Sequence, residues 1–169
     1  MDNKTRLVDI ILPNYNGAKT LKETINSVIN QSFQDFHLYI IDDFSNDKSI
    51  NLIEGYSDPR INLIKLKKNK GVYFCRNLGM RKSNSKYLAF IDSDDYWQKD
   101  KLKKQINFMQ KFDNKFTYTD YTPFQETNNT KIFKKKVNVK SKFNRTEFIN
   151  NTSIAMSSVV VERSLIKNL

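Results

Sequence analysis

Glycine is scarce, with four residues among 169, and they are spaced so that neither Gly-x-Gly-x-x-Gly nor a phosphate loop ending in Gly-Lys-Ser/Thr can be written. A dinucleotide site of that type and a phosphate-loop ATPase are therefore unsupported. Cys75 is the only cysteine, which excludes an internal disulfide and a cysteine-based metal site. A catalytic thiol needs a histidine, and His37 is the only one. Arg76 beside Cys75 can lower a thiol pKa, but the residue reads better as a small, semi-buried apolar group. His37, between Phe36 and Leu38 at a strand start, reads as structural. No run approaches the ~20 apolar residues that span a bilayer. The apolar stretch after the N-terminus is interrupted by Asp9, Asn14 and Asn16, so it lacks a signal core, and the expected compartment is the cytoplasm. The triplets at 128–130 and 144–146 fit Asn-x-Ser/Thr, but read as chance in an Asn-rich chain.

What is present is a 20.0 kDa chain, 38% hydrophobic and 28% charged, enough for one domain with a proper core. Its net charge of +11 asks for an anionic partner: nucleic acid, an anionic membrane surface or a phosphorylated substrate. The lysines gather at 65–70, 99–104 and 131–142, and each cluster taken alone reads as a solvated face. No aromatic platform or nucleic-acid-binding module accompanies them, so no nucleic acid is expected as a partner.

Apolar and polar residues alternate in blocks. Residues 7–12 form a buried strand stopped by Pro13 and Asn14, followed by a helix with Leu21, Ile25, Val28 and Ile29 on one stripe and a capping box of Thr20 and Glu23. Strands are expected at 36–41, 61–66 and 87–91. Helices are expected around Ile50 to Tyr56, where Ser45 or Asp47 can cap, and at 74–81 and 99–112. This rhythm predicts an α/β fold: a mostly parallel, Rossmann-like sheet with helices on both faces. Beyond it lie expected strands at 116–121, 131–139 and 157–161, and short helices at 146–150 and from 163.

In an open α/β sheet, ligands bind beyond the carboxyl ends of the strands. Three polar clusters fall there: Pro13-Asn14-Tyr15-Asn16-Gly17, Asp42-Asp43 and Asp92-Ser93-Asp94-Asp95. Three carboxylates within four residues repel one another unless a cation is bound, and Mg²⁺ or Mn²⁺ takes such oxygens while leaving positions for substrate phosphates. The competing reading is a solvated acidic turn that caps the next helix. Asn69-Lys70-Gly71 and Cys75-Arg76-Asn77-Leu78-Gly79 add backbone amides, a helix N-terminus and a cation suited to a diphosphate.

The ordered set Ile11-Leu12-Pro13-Asn14-Tyr15-Asn16, Gln31-Ser32-Phe33, Ile40-Ile41-Asp42-Asp43-Phe44-Ser45, Asn69-Lys70-Gly71, Arg76-Asn77-Leu78-Gly79 and Phe90-Ile91-Asp92-Ser93-Asp94-Asp95-Tyr96-Trp97 resembles the family 2 glycosyltransferases of the GT-A fold. The resemblance covers residues 7–121 and implies a metal-dependent, inverting transferase using a nucleotide-sugar donor, with UDP favoured, and a glycan or lipid-linked acceptor. It implies that Pro13 and Tyr15 hold the base, that Asp43 accepts from uracil, and that Arg76 lies near the phosphates. Asp92 then serves the ribose and sugar, and Asp94 binds Mn²⁺ or Mg²⁺. Asn16, Gly71 and Ser93 complete the donor side. Residues 1–121 are thus expected to form the donor domain, and 122–169 to begin an incomplete acceptor side. The family's acceptor base, usually within a Glu-Asp pair, has no counterpart here: neither Asp120 nor Glu126 matches it, as expected of a fragment or a truncated product. The lysines at 131–142, interleaved with Ile132, Phe133, Val137 and Val139, suit either an anionic membrane at its cytoplasmic face or an edge strand guarded against aggregation.

Overall fold

The computed structural model describes residues 5–127, 130–144, 146–147 and 153–166. Its first half alternates strand and helix: β1 (Val8–Asn14), α1 (Leu21–Ile29), β2 (Phe36–Asp42), α2 (Ser49–Glu54), β3 (Ile61–Lys65), α3 (Val72–Lys82), β4 (Tyr87–Phe90) and α4 (Lys101–Phe112). Four short strands follow: β5 (Phe116–Thr117), β6 (Phe124–Thr127), β7 (Thr130–Phe133) and β8 (Val160–Glu162). One six-stranded sheet has the order β3-β2-β1-β4-β8-β5. Strands β1 to β4 are parallel, and β8 runs antiparallel to both its neighbours. β6 and β7 pair as a separate antiparallel hairpin. No helix among the described residues is long and apolar enough to cross a membrane.

Side chains alternate across the strands, so one strand feeds two cores. Ile10 and Leu12 of β1 pack with Leu21, Ile25 and Val28 of α1, Ile53 of α2 and Leu102, Ile106 and Met109 of α4. Ile11 faces the other way, with Ile41, Leu88, Val161 and Cys75 of α3. Both faces are covered, as the continuous apolar strands foretell. On the second face α3 lies close to the sheet because residue 79 is glycine: a Cβ there would stand 2.7 Å from Ile11 Cγ2. Gly79, read from sequence beside a phosphate site, is thus a packing residue.

Several local expectations are corrected. Pro13 does not stop β1; Pro13 and Asn14 pair with Ile41 and Asp42. Alternate residues of β1 bond to opposite neighbours, Asn14 to the β2 side and Ile11 to the β4 side. Pro13 shares the side of Ile11, where pairing with β4 has already ended, so its missing N–H costs no ladder bond. The capping box does not form: the Thr20 hydroxyl donates to the Ser93 carbonyl at 2.8 Å, and Glu23 pairs with Lys131. At α2 it is Asp47, not Ser45, that receives the Ser49 N–H, at 2.9 Å.

The expected strand at 116–121 shortens to β5, and that at 131–139 becomes β7 plus an isolated bridge from Tyr121 to Val137. The strand at 157–161 begins instead as a 3₁₀ turn, Met156–Ser158, before β8. The helix expected from 163 is a 3₁₀ turn, Arg163–Ile166, and residues 167–169 lie outside the described residues. Most of the helix expected at 146–150 also lies outside them, as do Asn128, Asn129 and Arg145 of the two Asn-x-Ser/Thr triplets. His37 sits near the amino end of β2 with Nδ1 3.3 Å from Asp9 Oδ1, at the sheet edge opposite the polar clusters.

Candidate functional site

The ends of β1 and β2 are fastened by side chains. Asn14, buried, donates from Nδ2 to Asp42 Oδ2 at 2.8 Å and to Ser45 Oγ at 3.2 Å, and the Ser45 hydroxyl donates to Asp42 Oδ2 at 2.6 Å. Asn16 takes a left-handed conformation, φ 52°, which asparagine tolerates better than most residues. Its N–H donates to Ser45 Oγ at 2.9 Å, and its Oδ1 accepts the Asn46 N–H at 2.9 Å. Asn16 therefore holds two loops together. Asp42 is fully buried, and both of its carboxylate oxygens accept hydrogen bonds in this network.

Asp43 connects three strand ends. Its N–H donates to the Asn14 carbonyl, Oδ1 accepts the Lys70 N–H and Oδ2 accepts the Gly71 N–H, the last two at 2.7 Å. Gly71 has φ 84°, a conformation costly for other residues, and leads directly into α3. The carboxylate thus shapes the turn that starts α3.

The acidic loop after β4 is held from three directions. The Ser93 carbonyl accepts the hydroxyls of Thr20 and Thr24, at 2.8 and 2.9 Å. The Asp92 N–H donates to Ser157 Oγ at 3.0 Å, and Trp97 Nε1 donates to the Ser157 carbonyl at 2.8 Å. Asp92 forms an ion pair with Arg76 of α3. Burial raises the Asp95 carboxyl pKa; the nearby charges of Asp94 and Asp92 add to that, and the Ser157 hydroxyl opposes it. The loop does not cap α4, which begins only at Lys101 and receives Gln31 Oε1 at the Leu102 N–H, 3.0 Å. The helix-capping reading of the acid cluster is set aside on this ground.

These loops enclose a cavity of about 380 Å³ lined by Pro13, Asn14, Tyr15, Asp43, Val72, Cys75, Arg76 and Asp92–Asp94. Seven of the sequence-predicted residues meet there (Pro13, Tyr15, Asp43, Arg76, Asp92, Ser93 and Asp94), while Asn16 and Gly71 stand outside the lining. Tyr15 is half-exposed at the cavity. Arg76 Nε is buried and has no hydrogen-bond partner among the described residues, a donor that an anion would satisfy. Cys75 is not activated by its neighbour Arg76: burial first, then the Asp43 carboxylate, pushes the thiol up to about 12.

No three metal-binding side chains converge among the described residues. Asp94, however, is exposed at the cavity, and its carboxylate is unpaired among the described residues. Its hard oxygens fit Mn²⁺ or Mg²⁺, which keep waters and take substrate phosphates as remaining ligands.

Sequence reading missed the residues that hold the loops. Ser157 lies 65 residues from Asp92, and no local pattern marks it. Gln31 was visible within Gln31-Ser32-Phe33, yet its role emerges only here: it donates to the Ser27 and Gln98 carbonyls and accepts from Leu102, tying α1 to α4.

A family model described as glycosyl transferase family 2 matches residues 9–168. The chain is 34% identical over 160 residues to the UDP-Glc:alpha-D-GlcNAc-diphosphoundecaprenol beta-1,3-glucosyltransferase WfgD of Escherichia coli, covering 95% of this chain and 62% of that protein. It spans 62% to 65% of the length of the curated relatives it matches along most of its own length. The structure resembles S. aureus TarS in complex with UDP-GlcNAc, with TM-score 0.73, 22% identity, and coverage of 95% of this chain and 46% of that one. It also resembles the mannosyltransferase PcManGT from Pyrobaculum calidifontis in complex with GDP-Man and Mn²⁺, with TM-score 0.71, 15% identity, and coverage of 98% and 47%. At these identities the two structures establish the GT-A fold of the chain.

Proposed function

The chain belongs to glycosyl transferase family 2, and we propose that it transfers a sugar from a nucleoside-diphosphate donor, uridine-linked, to a hydroxyl of a glycan or lipid-linked acceptor. The observation that carries this reading is the meeting of four groups at one cavity: the exposed side chain of Tyr15, the buried carboxylate of Asp43, the guanidinium of Arg76 and the exposed carboxylate of Asp94. That set suits, in turn, a base, an imide N–H, a diphosphate and a cation.

In this reading Tyr15 stacks on the base, beside Pro13. Each Asp43 oxygen already accepts one backbone N–H, and a second lone pair remains to accept from uracil. Arg76, aligned by Asp92, balances diphosphate charge, and Asp92 and Ser93 face the ribose and sugar. The amides at the start of α3, shaped by Gly71, add positive potential beside the phosphates. Asp94 is the residue that would hold a divalent ion, which when bound would supply Lewis-acid stabilisation of charge on the leaving phosphate. Inversion calls for a base that takes the acceptor proton on the far face of the sugar. Asp120 already accepts the Val139 N–H and pairs with Lys136, so we assign that base to no described residue.

Residues 1–121 then supply the donor half and 122–169 begin the acceptor side, with Ser157 reaching back to support Asp92. WfgD carries UDP-Glc and a diphosphoundecaprenol acceptor in its name, and TarS was crystallised with UDP-GlcNAc; both support a uridine donor, and WfgD supports a lipid-linked acceptor. In this reading, such an acceptor would bring the protein to the cytoplasmic face of a membrane. Exposed Ile132 and Phe133, followed by Lys134, Lys135 and Lys136, support a peripheral contact there.

Titration calorimetry with UDP, GDP and ADP, with and without Mn²⁺, tests the reading. Tighter binding of UDP than of GDP or ADP, strengthened by Mn²⁺, is expected. Equal affinity for all three removes the uridine assignment, and absence of nucleotide binding removes the donor site itself.

A further inference from the structure

Lys101 opens α4, where the helix dipole disfavours a cation, and it is partly buried. It has no ion pair among the described residues. Its ammonium instead lies 4.0 Å from the centroid of the Trp97 ring and donates to Gln105 Oε1 at 2.7 Å. Burial pushes its pKa down to about 7. A cation without a carboxylate, buried at the positive end of a helix, costs stability rather than adding to it. Its place in the fold calls for another reason.

Both contacts lead to one turn. Trp97 is buried, and its Nε1 donates to the Ser157 carbonyl at 2.8 Å. Gln105 is buried too, and its Nε2 donates to the Ser158 carbonyl at 3.0 Å and to Thr117 Oγ1 at 3.1 Å. These two carbonyls belong to the 3₁₀ turn Met156–Ser158, and the Ser157 hydroxyl accepts the Asp92 N–H at 3.0 Å. Asp92 in turn pairs with Arg76 at the cavity. One ammonium thus fixes two side chains, and they fix the turn that holds the acidic loop.

We infer that Lys101 is a positioning residue: clamped between the Trp97 ring and Gln105, its charge seats the Ser157–Ser158 turn against Asp92 and strengthens the hold of the cavity on a nucleoside diphosphate. The inference rests on the donor-site reading above. Lys101 stands outside the cavity lining and acts only through Trp97 and Gln105. The cation attracts the indole face and makes a stronger hydrogen bond than a neutral amine would. Both effects are present below a pH of about 7 and fade above it, as the ammonium loses its proton. Trp97, Gln105, Thr117, Ser157 and Ser158 carry no ionisable group. The charged groups joined to this network or flanking it in sequence are Asp95, which interacts with the Ser157 hydroxyl, the Asp92–Arg76 pair, and Asp100 among Lys99, Lys103 and Lys104.

Trp97 is the only tryptophan, so its emission reads the contact directly. The experiment compares the full chain with Lys101→Met, which keeps an unbranched side chain without the charge, by fluorescence, thermal unfolding and calorimetry with UDP and Mg²⁺. Wild-type emission is expected to titrate with a midpoint near pH 7, and that of Lys101→Met to lack this step. His37 and Asp95 are present in both proteins and cannot produce the difference. At about pH 6, UDP should bind Lys101→Met about three- to tenfold more weakly. Its Tm should stay within about 4 °C of the wild type, because removal of a buried charge offsets the lost hydrogen bond. By about pH 8.5 the gap in affinity should narrow, since the wild-type amine is then neutral. Coincident emission curves, equal UDP affinity at the lower pH, or a gap that persists undiminished at the higher one overturns the inference and leaves the donor site standing. A larger fall in Tm also overturns it, by making Lys101 structural. A wild type that binds no UDP overturns both.

Discussion

Gly71 donates its backbone N–H to Oδ2 of Asp43 at 2.7 Å, with Lys70 donating to Oδ1 at the same distance. The residue expected to read uracil is therefore also the residue that builds the turn into α3. Asp43→Asn should act twice. Its amide NH₂ meets one of the two N–H donors, so the fold loses about 1–3 kcal/mol, and UDP weakens at least tenfold. Chemical denaturation and calorimetry on the same variant separate the effects. Wild-type stability in Asp43→Asn would show that the turn does not depend on the carboxylate.

Asp94 stands apart from that network, exposed and without an ion pair or side-chain hydrogen bond among the described residues. Asp94→Ala is expected to leave the Tm within about 2 °C of the wild type, because a surface carboxylate without partners contributes little to stability. The same variant should lose the Mn²⁺ dependence of UDP binding. Retention of that dependence removes Asp94 as the metal ligand.

Cys75 gives a pH prediction. Burial and the Asp43 carboxylate disfavour the thiolate, so the thiol ionises only near pH 12, and at neutral pH it is protonated. With about a thousandfold less thiolate than an ordinary thiol, and little access, it should resist Ellman's reagent in the folded protein and react fully in urea. Rapid stoichiometric labelling of the native chain at about pH 8 contradicts both the burial and the shift.

The lysines at 131–142 are not equivalent. Lys131 pairs with Glu23, Lys136 with Asp120 and Lys140 with Glu147. Lys134 and Lys135 have no ion pair among the described residues and follow the exposed Ile132 and Phe133. Cosedimentation with vesicles rich in anionic lipid should fall about tenfold or more when Lys134 and Lys135 both become Ser, each charge contributing about 1 kcal/mol. Equal binding by both proteins, or none by the wild type, leaves the hairpin lysines as guards of an edge.

The sheet was legible because its signals are local. Mostly apolar runs such as Val8 to Leu12, broken only by Asp9, and Phe36 to Ile41 find their place between two helical layers, and the stripe at Leu21, Ile25 and Val28 shows which face α1 buries. That Asp43 and Asp94 would meet at one cavity was legible because both fall just beyond strand ends, whereas Arg76, within α3, was joined to them only by the family resemblance. Pro13 misled because its consequence depends on which neighbour its missing N–H would have faced, and that is a matter of strand order. Thr20 misled for a related reason: a hydroxyl three residues before a glutamate suits a cap, yet the Ser93 carbonyl, far along the chain, took it instead.

The sequence by itself determined the alternating layers, the strand ends at which polar residues gather, and the family. Periodicity and composition act over a few residues, and burial of apolar faces leaves few ways to satisfy them. Only the tertiary structure decided what each polar residue is attached to. It gave Asp42 and Asn16 to the latching of loops, Asp43 to a turn as well as a cavity, Gln31 to the tie between α1 and α4, and Ser157 to the support of the acidic loop. It also left Asp94 exposed, with no partner among the described residues. A hydrogen bond is short and directional, so its partner is chosen by which atoms the packed chain brings within about 3 Å, and nothing in the spacing of residues along the sequence carries that information.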